Sequence, residues 1–449
     1  MTSDSIARKF CIVGAGSSGL AVARHFRARA IPFDCFERED DVGGNWYYGR
    51  PHSSVYRSVR LISSKRQTQY SDFPMPDDWP EYPGHEQVWQ YLRSYARHHD
   101  LYANIQFNTS IIRLEPAAQP TDCWGWEATL SDGTRRPYRG IVIANGHNWD
   151  PSWPDFPGEF RGCVLHSSQY KTPDICHARR VLVVGGGNSG YDIAADVAPC
   201  SAATFHSLRR RYHVLPRYFR GVPIDQRGEW ALRWRVPLWI RRFGAARARC
   251  VAWGEAAAKS LPQPDHRLFE THPVINSRWP YEVARGAIRV KPDVERLDGS
   301  EVLFADGSRE AIDLIIFATG YKLSFPFIDR QHLNWRGDRP VLYLNIFHPD
   351  RDDLLFAGLI QPDSGQFGLV DDQARLIAAY VRGLEAGHPA ARRLQAEKRR
   401  QAGPPLGGGI RYVASPRHLL EVEHFSYGRR LRRWIARLQA AAALPPSKL

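Results

Sequence analysis

Twice in this chain a short apolar run is followed by a glycine-rich turn and then by a helix-forming segment, and this repeat limits the possible folds more than any other feature. The first copy is Phe10-Cys11-Ile12-Val13, then Gly14-Ala15-Gly16-Ser17-Ser18-Gly19, then Leu20, Ala21, Val22, Ala23 and Phe26 at helical spacing. A strand, a tight turn and a helix in that order can hold a pyrophosphate on the free amides of the helix N-terminus. Gly14 permits the turn, Gly16 lets the backbone approach the phosphates, Gly19 lets the helix pack on the strand, and Ser18 lies in the same turn. The next apolar run, Phe33-Asp34-Cys35-Phe36, ends at Glu37, an acid placed about 20 residues on to accept hydrogen bonds from a ribose diol. Glycines in an ordinary turn are the alternative, and strand, helix and acid together weigh against it.

The second copy is Val181-Leu182-Val183-Val184, then Gly185-Gly186-Gly187-Asn188-Ser189-Gly190, then a helix with Ile193, Ala194, Ala195 and Val197. Its following strand, near Ala203-Thr204-Phe205, runs into His206-Ser207-Leu208-Arg209-Arg210-Arg211 instead of an acid. Ser207, Arg209 and Arg210 suit the 2′-phosphate of NADP, which an acid would repel; a solvated basic surface is the other reading of the run. Two such units imply two bound nucleotides and an α/β fold of two Rossmann-like dinucleotide-binding domains.

At 449 residues, 43% hydrophobic, with 14 Trp and 20 Phe, the chain can bury cores for two domains or more. Its seven cysteines, Cys11, Cys35, Cys123, Cys163, Cys176, Cys200 and Cys250, are scattered and include no CxxC, which argues against disulfides and metal sites and for a reducing cytosol. No signal-type apolar region precedes Phe10 and no run of 18 apolar residues occurs, so neither secretion nor a membrane span is expected. The formal charge of +14 raises the question of nucleic acid, but the basic residues are spread along the chain and form no recognisable RNA or DNA module. Near the end, Leu431, Trp434, Ile435 and Leu438 share one helix face with arginines opposite, the pattern of a docked surface helix, with peripheral membrane attachment as the lesser alternative. The last three residues, Ser447-Lys448-Leu449, match a peroxisomal address, given little weight beside an Ala- and Arg-rich, bacterial-looking composition.

Alternating strands and helices mark residues 1–165 as a first nucleotide domain and 166–315 as a second, with the chain returning to the first over 316–449. The amphipathic segment Gln87 to His98 is a helix of the first domain, and the proline-rich stretch Pro151 to Gly158 is an ordered hinge. An arginine- and tryptophan-rich insertion at about 212–253 is expected to shape a substrate entrance. Nesting one domain in the other sets the two nucleotides across a cleft, as direct hydride transfer between them requires.

Between the two turns lies Phe160-Arg161-Gly162-Cys163-Val164-Leu165-His166-Ser167-Ser168-Gln169-Tyr170-Lys171, an FxGxxxHxxxY(K) pattern. With Gly43-Gly44-Asn45-Trp46, Tyr70 to Pro76, the GGGNSGYD core, Phe317-Ala318-Thr319-Gly320-Tyr321 and Leu342 to Gln361, it resembles the flavin-containing monooxygenases over nearly the whole chain. The resemblance implies a discontinuous FAD domain (1–165 and 316–449) with an inserted NADPH domain (166–315). It also implies a cytoplasmic enzyme, homodimeric by analogy with the family, that oxygenates a small molecule with dioxygen through a flavin C(4a)-peroxide. Gly44, Asn45, Trp46, Ile62, Ser63, Thr319, Gly320 and Gln361 join the glycine turns as cofactor residues. The flavin carries the chemistry, so no catalytic acid or base is assigned, and His166 is read as a structural hinge residue.

Two departures sharpen this. Baeyer-Villiger relatives usually carry Trp where Tyr170 stands, which disfavours ketone insertion. Where many members have an asparagine near the flavin, in a segment resembling TNTSKE, this chain reads Leu61-Ile62-Ser63-Ser64-Lys65-Arg66. Ile62 cannot donate a hydrogen bond, leaving Ser63, bound NADP or main-chain amides to do so. An NADPH oxidase that releases hydrogen peroxide and a non-catalytic flavin-binding protein therefore stand as alternatives. A disulfide reductase does not, for want of a close cysteine pair.

Overall fold

The structure is a computed structural model that describes residues 9–117, 125–234, 236–254, 261, 263–401, 403–410, 412–413 and 418–440. The peroxisome-like terminus and Cys123 lie outside the described residues.

Each glycine turn follows the middle strand of a five-stranded parallel sheet. The first sheet runs Leu354–Phe356, Gly140–Ile143, Phe10–Val13, Phe33–Phe36, Ile105–Gln106. Its central strand is buried at every position, which is why Phe10-Cys11-Ile12-Val13 reads as an unbroken apolar run. Phe10 and Ile12 face a core closed by helices Ser17–Ala28 and Phe367–Glu385. Cys11 and Val13 face the other way, toward Leu114, Trp126 and Tyr138 of a three-stranded antiparallel sheet.

The second sheet repeats the plan: Cys163–His166, Leu314–Phe317, Arg180–Val184, Ala203–Ser207, Ile288–Lys291, all parallel. Helix Asn188–Val197 covers one face, and a four-stranded sheet that includes Val294–Gly299 and Glu301–Phe304 backs the other. The chain leaves the first sheet after Gly140–Ile143 and rejoins it at Leu354–Phe356, which pairs with that same strand. The expected boundaries at 165/166 and 315/316 fall within Cys163–His166 and Leu314–Phe317, two strands that pair with each other in the second sheet. The linkers themselves pair, Asp150–Pro151 running antiparallel to Tyr321–Lys322.

The excursion placed at 212–253 closes only at Val274–Ile275, which pairs in parallel with Val214–Leu215. The polar, proline-containing stretch after Trp253 has no periodicity to mark it as part of the same unit. Helices Ile224–Arg233 and Leu238–Trp253 fill this cap, and Trp239 and Phe243 stand exposed on the second. The tail helix His424–Ala440 buries Leu431, Trp434, Ile435 and Leu438 and packs on Phe367–Glu385. At about 1.5–3 kcal/mol for each large side chain, that burial holds the helix to the protein and leaves its apolar face none to offer a membrane. No described helix is long and apolar enough to cross a membrane.

Candidate functional site

The glycines of the two turns divide by what surrounds them. Gly14 has φ +99°, and a Cβ there would lie 2.9 Å from Ala144 O, while one at Gly19 would lie 1.8 Å from Gly14 O. In the second turn Gly185, at φ +135°, would meet Ala318 O at 2.2 Å, and Gly190 would meet Gly185 O at 2.1 Å. These four glycines are demanded by the fold itself. Gly16 and Gly187 are not: a Cβ at Gly16 makes only ordinary contact with Gly44 at 3.6 Å, and one at Gly187 meets nothing within 4 Å. Both are N-caps of their helices, Ser17–Ala28 and Asn188–Val197, and neither has a side chain that could satisfy the free amides. A helix N-terminus whose amides no side chain caps is the kind of site that can take a phosphate group.

Glu37 is buried, and its carboxylate accepts from Ala15 N at 2.7 Å and Glu39 N at 3.1 Å. Burial pushes its pKa up against those two bonds. Two acceptor positions per oxygen leave room for a diol. Ser18 Oγ lies beside Gly358, where an added Cβ would be only 2.0 Å away. Gly44, at φ +53°, packs its Cα against Gly16, and Trp46 leans on the first core. Asn45 accepts from Ser54 N at 2.7 Å and Ser54 Oγ at 2.8 Å.

In the second domain, Ser207 is buried and donates to Pro292 O at 2.7 Å. Arg209 is exposed, and Arg210 pairs with Asp265 at 3.3 Å. Asn188 anchors the cap by accepting from Ile275 N at 3.2 Å, and Ser189 follows it in the first turn of the helix. Thr319 donates to Ser152 O at 2.6 Å, and Gly320 O accepts from Ser152 N, so this pair ties the return strand to the linker. His166 is buried, with Nε2 3.1 Å from Gly320 O and Nδ1 3.0 Å from Ser168 Oγ. It is a satisfied hinge histidine whose pKa burial lowers.

An arm of the first domain, Ser53 to Val59, is gripped by the second, a feature that sequence reasoning missed. Tyr56 packs in the second core, its ring 5.5 Å from that of Tyr170, and its hydroxyl donates to Asp192 at 3.4 Å. Tyr170 and Ser58 both donate to Asp196 Oδ2, at 2.6 and 2.7 Å. Lys171 donates to Ser53 O at 2.6 Å and Val55 O at 3.2 Å. Because Asn45 binds Ser54, the grip connects the Gly44–Trp46 segment with the helix of the second turn. Tyr170 and Lys171 close the fingerprint pattern, and Asp192 closes the GGGNSGYD core, so the signal was present without its meaning.

Ile62 and Ser63 lie on the segment before the short helix Lys65–Thr68, against which the loop at Gly365 is pressed: a Cβ on Gly365 would fall 2.0 Å from Gln67 O. Of the polar side chains after Ile62, Ser63, Lys65 and Gln67 are engaged, whereas the buried Ser64 Oγ has no hydrogen-bond partner. Ser63 Oγ pairs with Thr68 Oγ1 at 2.9 Å, Lys65 binds the carbonyls of Pro76, Asp77 and Trp79, and Gln67 donates to Glu229 at 2.7 Å. Gln361 pairs with the strand Glu421–Val422, and its amide donates to Glu421 Oε1 at 3.2 Å.

Two parallel sheets, each with a nucleotide-type turn on its central strand, define an oxidoreductase built to hold two dinucleotides. Residues 7–406 match the model of the flavin-binding monooxygenase-like family, and the chain belongs to that family. It is 32% identical over 409 residues to "Dimethylaniline monooxygenase [N-oxide-forming] 2" of Pan troglodytes, covering 84% of this chain and 74% of that one. S-allyl-L-cysteine S-oxygenase of Allium sativum shares the fold at TM-score 0.65 and 21% identity, over 98% of this chain and 90% of that one. A steroid monooxygenase described as oxidised and bound to NADP does so at TM-score 0.67 and 19% identity, over 96% and 98%. The protein is a flavin-dependent monooxygenase whose cofactors are FAD and NADPH and whose co-substrate is dioxygen.

Proposed function

We propose that the first turn, with Glu37 and the Gly44–Trp46 segment, holds FAD, that the second turn with Ser207, Arg209 and Arg210 holds NADPH, and that the enzyme oxygenates nitrogen or sulfur in a small nucleophile. When bound, FAD would supply the redox chemistry, reduction by hydride from NADPH and activation of dioxygen, with one oxygen atom going to the substrate and the other to water. This chain's own residues bind, orient and exclude water. The helix amides behind Gly16 and Gly187 would hold the phosphates, Glu37 would accept from the FAD ribose, and Arg209 would meet the 2′-phosphate. The arm held by Tyr170, Lys171, Asp192 and Asp196 fixes one dinucleotide site against the other, where small displacements cost much of the rate.

The observation that carries the reading is the pair of glycines whose bareness the fold does not need, one at each helix N-terminus. Anaerobic NADPH should bleach the yellow holoenzyme, and oxygen with dimethylaniline or a thioether should then give product labelled with one atom from ¹⁸O₂. Lack of bleaching would refute the assignment. The engaged side chains of Ser63, Lys65 and Gln67 after Ile62 favour a second reading, an NADPH oxidase, in which hydrogen peroxide rather than product would match the NADPH consumed. The same proposal takes the protein as a cytoplasmic homodimer without a nucleic-acid partner, in keeping with basic residues spread along the whole chain.

A further inference from the structure

Carboxylates from separate segments converge beside the loop that presses on the Ile62 segment. Asp363 lies on that loop and accepts from His424 N at 2.8 Å. Glu423 caps the tail helix, accepting from Phe425 N at 3.1 Å and Ser426 N at 2.7 Å. Glu421, between them, is only 7% exposed. Its Oε1 is matched by Gln361 and by His418 Nδ1, each at 3.2 Å, but its Oε2 has no hydrogen-bond partner, and His272 Nδ1 is 3.9 Å away. The buried Tyr412 hydroxyl also has no hydrogen-bond partner, and burial first and then the charges of Asp363, Glu421 and Glu423 oppose its ionisation.

The fixed cation facing this group is Arg241, whose guanidinium sits 5.2 Å over the Phe269 ring and feels Asp363 and Glu423. Among the described residues three acids face one arginine here, with His272 and His418 beside Glu421 as the other basic groups. The effect is visible at Asp363, where burial first, and then Glu421 and Glu423, push the pKa up to about 7. An unpaired, buried carboxylate oxygen is costly unless something donates to it. An ammonium carries three donors, enough for Glu421 Oε2, the Tyr412 oxygen and one oxygen of Asp363.

We propose that Glu421, Asp363 and Tyr412 form a seat for an organic cation, an ammonium or guanidinium that the substrate carries away from the atom being oxygenated. The proposal rests on the monooxygenase reading and adds a substrate class to it: small molecules with a second, non-reacting positive charge, diamines being the simplest. Glu421 and Asp363 would then select substrates by charge, and Arg241 would set how strongly.

The test is calorimetric titration of the oxidised holoenzyme, at constant ionic strength, with α,ω-diamines of four to six carbons, against the matching monoamines and amino alcohols. A diamine of one length should bind saturably and more tightly than its single-charge analogues. Glu421→Gln should weaken that binding about tenfold or more, as loss of a charge-assisted hydrogen bond does. Arg241→Gln should tighten it, and this opposite sign is one that a merely structural role would not produce. Should Glu421→Gln fail to fold, Asp363→Asn and Arg241→Gln carry the same test. Equal affinity for diamines and amino alcohols, or both charge changes moving affinity in the same direction, would overturn the proposal. Anaerobic bleaching by NADPH is followed in the same samples: normal bleaching without diamine binding sinks the cation seat alone, whereas absent bleaching sinks the functional reading beneath it.

Discussion

Removing one hydroxyl should loosen the grip between the two nucleotide domains. In Tyr170→Phe the ring remains, with its edge contact to Tyr56, and only the bond to Asp196 Oδ2 at 2.6 Å is lost. That distance is typical of a hydroxyl donating to an ionised carboxylate, a bond that contributes about 1.5–3 kcal/mol. Asp196 keeps Ser58 on the same oxygen at 2.7 Å and Arg278 at 4.0 Å, so the low end, about 1.5–2 kcal/mol, applies. For domains of this size each kcal/mol shifts Tm by roughly 2–4 °C, so a fall of about 3–8 °C is expected. The effect on turnover follows from what remains. A displacement near 1 Å costs on the order of 10²-fold in rate, but Tyr56, Ser58 and Lys171 still hold the arm, so flavin reduction by saturating NADPH should slow by about tenfold. Stopped-flow bleaching and a thermal melt of the holoenzyme read both numbers. A normal Tm would refute the bond's contribution. A lowered Tm with an unchanged reduction rate would show that Tyr170 steadies only its own domain and does not register one cofactor site against the other.

Gly16→Ala should leave the apoprotein folded but abolish FAD retention, whereas Gly19→Ala, whose Cβ would fall 1.8 Å from Gly14 O, should fail to fold; circular dichroism and flavin content separate the two. Arg209→Ala should raise KM for NADPH at least tenfold more than KM for NADH, and more than Arg210→Ala does, because Arg210 already pairs with Asp265; equal effects on both coenzymes would refute the 2′-phosphate role. Asp192 has its pKa pushed from 3.8 to about 6, chiefly by burial, so between those values the folded state binds more protons than the unfolded one, and the stability of the protein relative to Asp192→Asn should fall by roughly 3 kcal/mol as pH rises from 4 to 6 and stay flat above. Denaturant midpoints for the two proteins across that range test it. Ile62→Asn should raise the product formed per NADPH and lower hydrogen peroxide release; an unchanged ratio would mean that Ile62 does not stand beside the flavin.

The glycine turns were legible because part of their reason is local. Gly19 meets the backbone of Gly14, and Gly190 that of Gly185, within one turn, although Gly14 and Gly185 themselves press on the distant Ala144 and Ala318 carbonyls, and the apolar runs before the turns are apolar at every position because both faces of each sheet are covered. The tail helix was legible for a similar reason, its buried positions 431, 434, 435 and 438 falling on one face. The arm was not. Tyr56 and Asp192 are 136 residues apart, and nothing in either neighbourhood marks one as the other's partner. The cap's end was hidden because Val274–Ile275 is a two-residue strand, too short for any periodicity, recognisable only once Val214–Leu215 lies beside it. The boundaries at 165/166 and 315/316 fall inside strands for a related reason: the strands Cys163–His166 and Leu314–Phe317 pair with each other, and pairing, not position in the chain, decides which sheet they join.

Ile62 and the carboxylate group can be understood together. Cap residues reach the Ile62 segment directly, Asp225 accepting from Ser64 N at 2.6 Å and Glu229 from Gln67 Nε2 at 2.7 Å. These bonds engage Ser64 N and the Gln67 amide, and Ser63, the nearest candidate replacement for a family asparagine, pairs with Thr68, while Ser64 Oγ has no partner. If Ile62 stands beside the flavin in place of a donor, coupling would depend more on excluding water. A substrate anchored by a remote cation would do that: held at Glu421 and Asp363, beside the loop that presses on this segment, it would replace an intrinsic hydrogen bond with occupancy. On this argument the wild-type protein should waste NADPH as hydrogen peroxide when a diamine of the fitting length is absent and couple tightly when it is present. Ile62→Asn should lessen the waste without the diamine and change little with it.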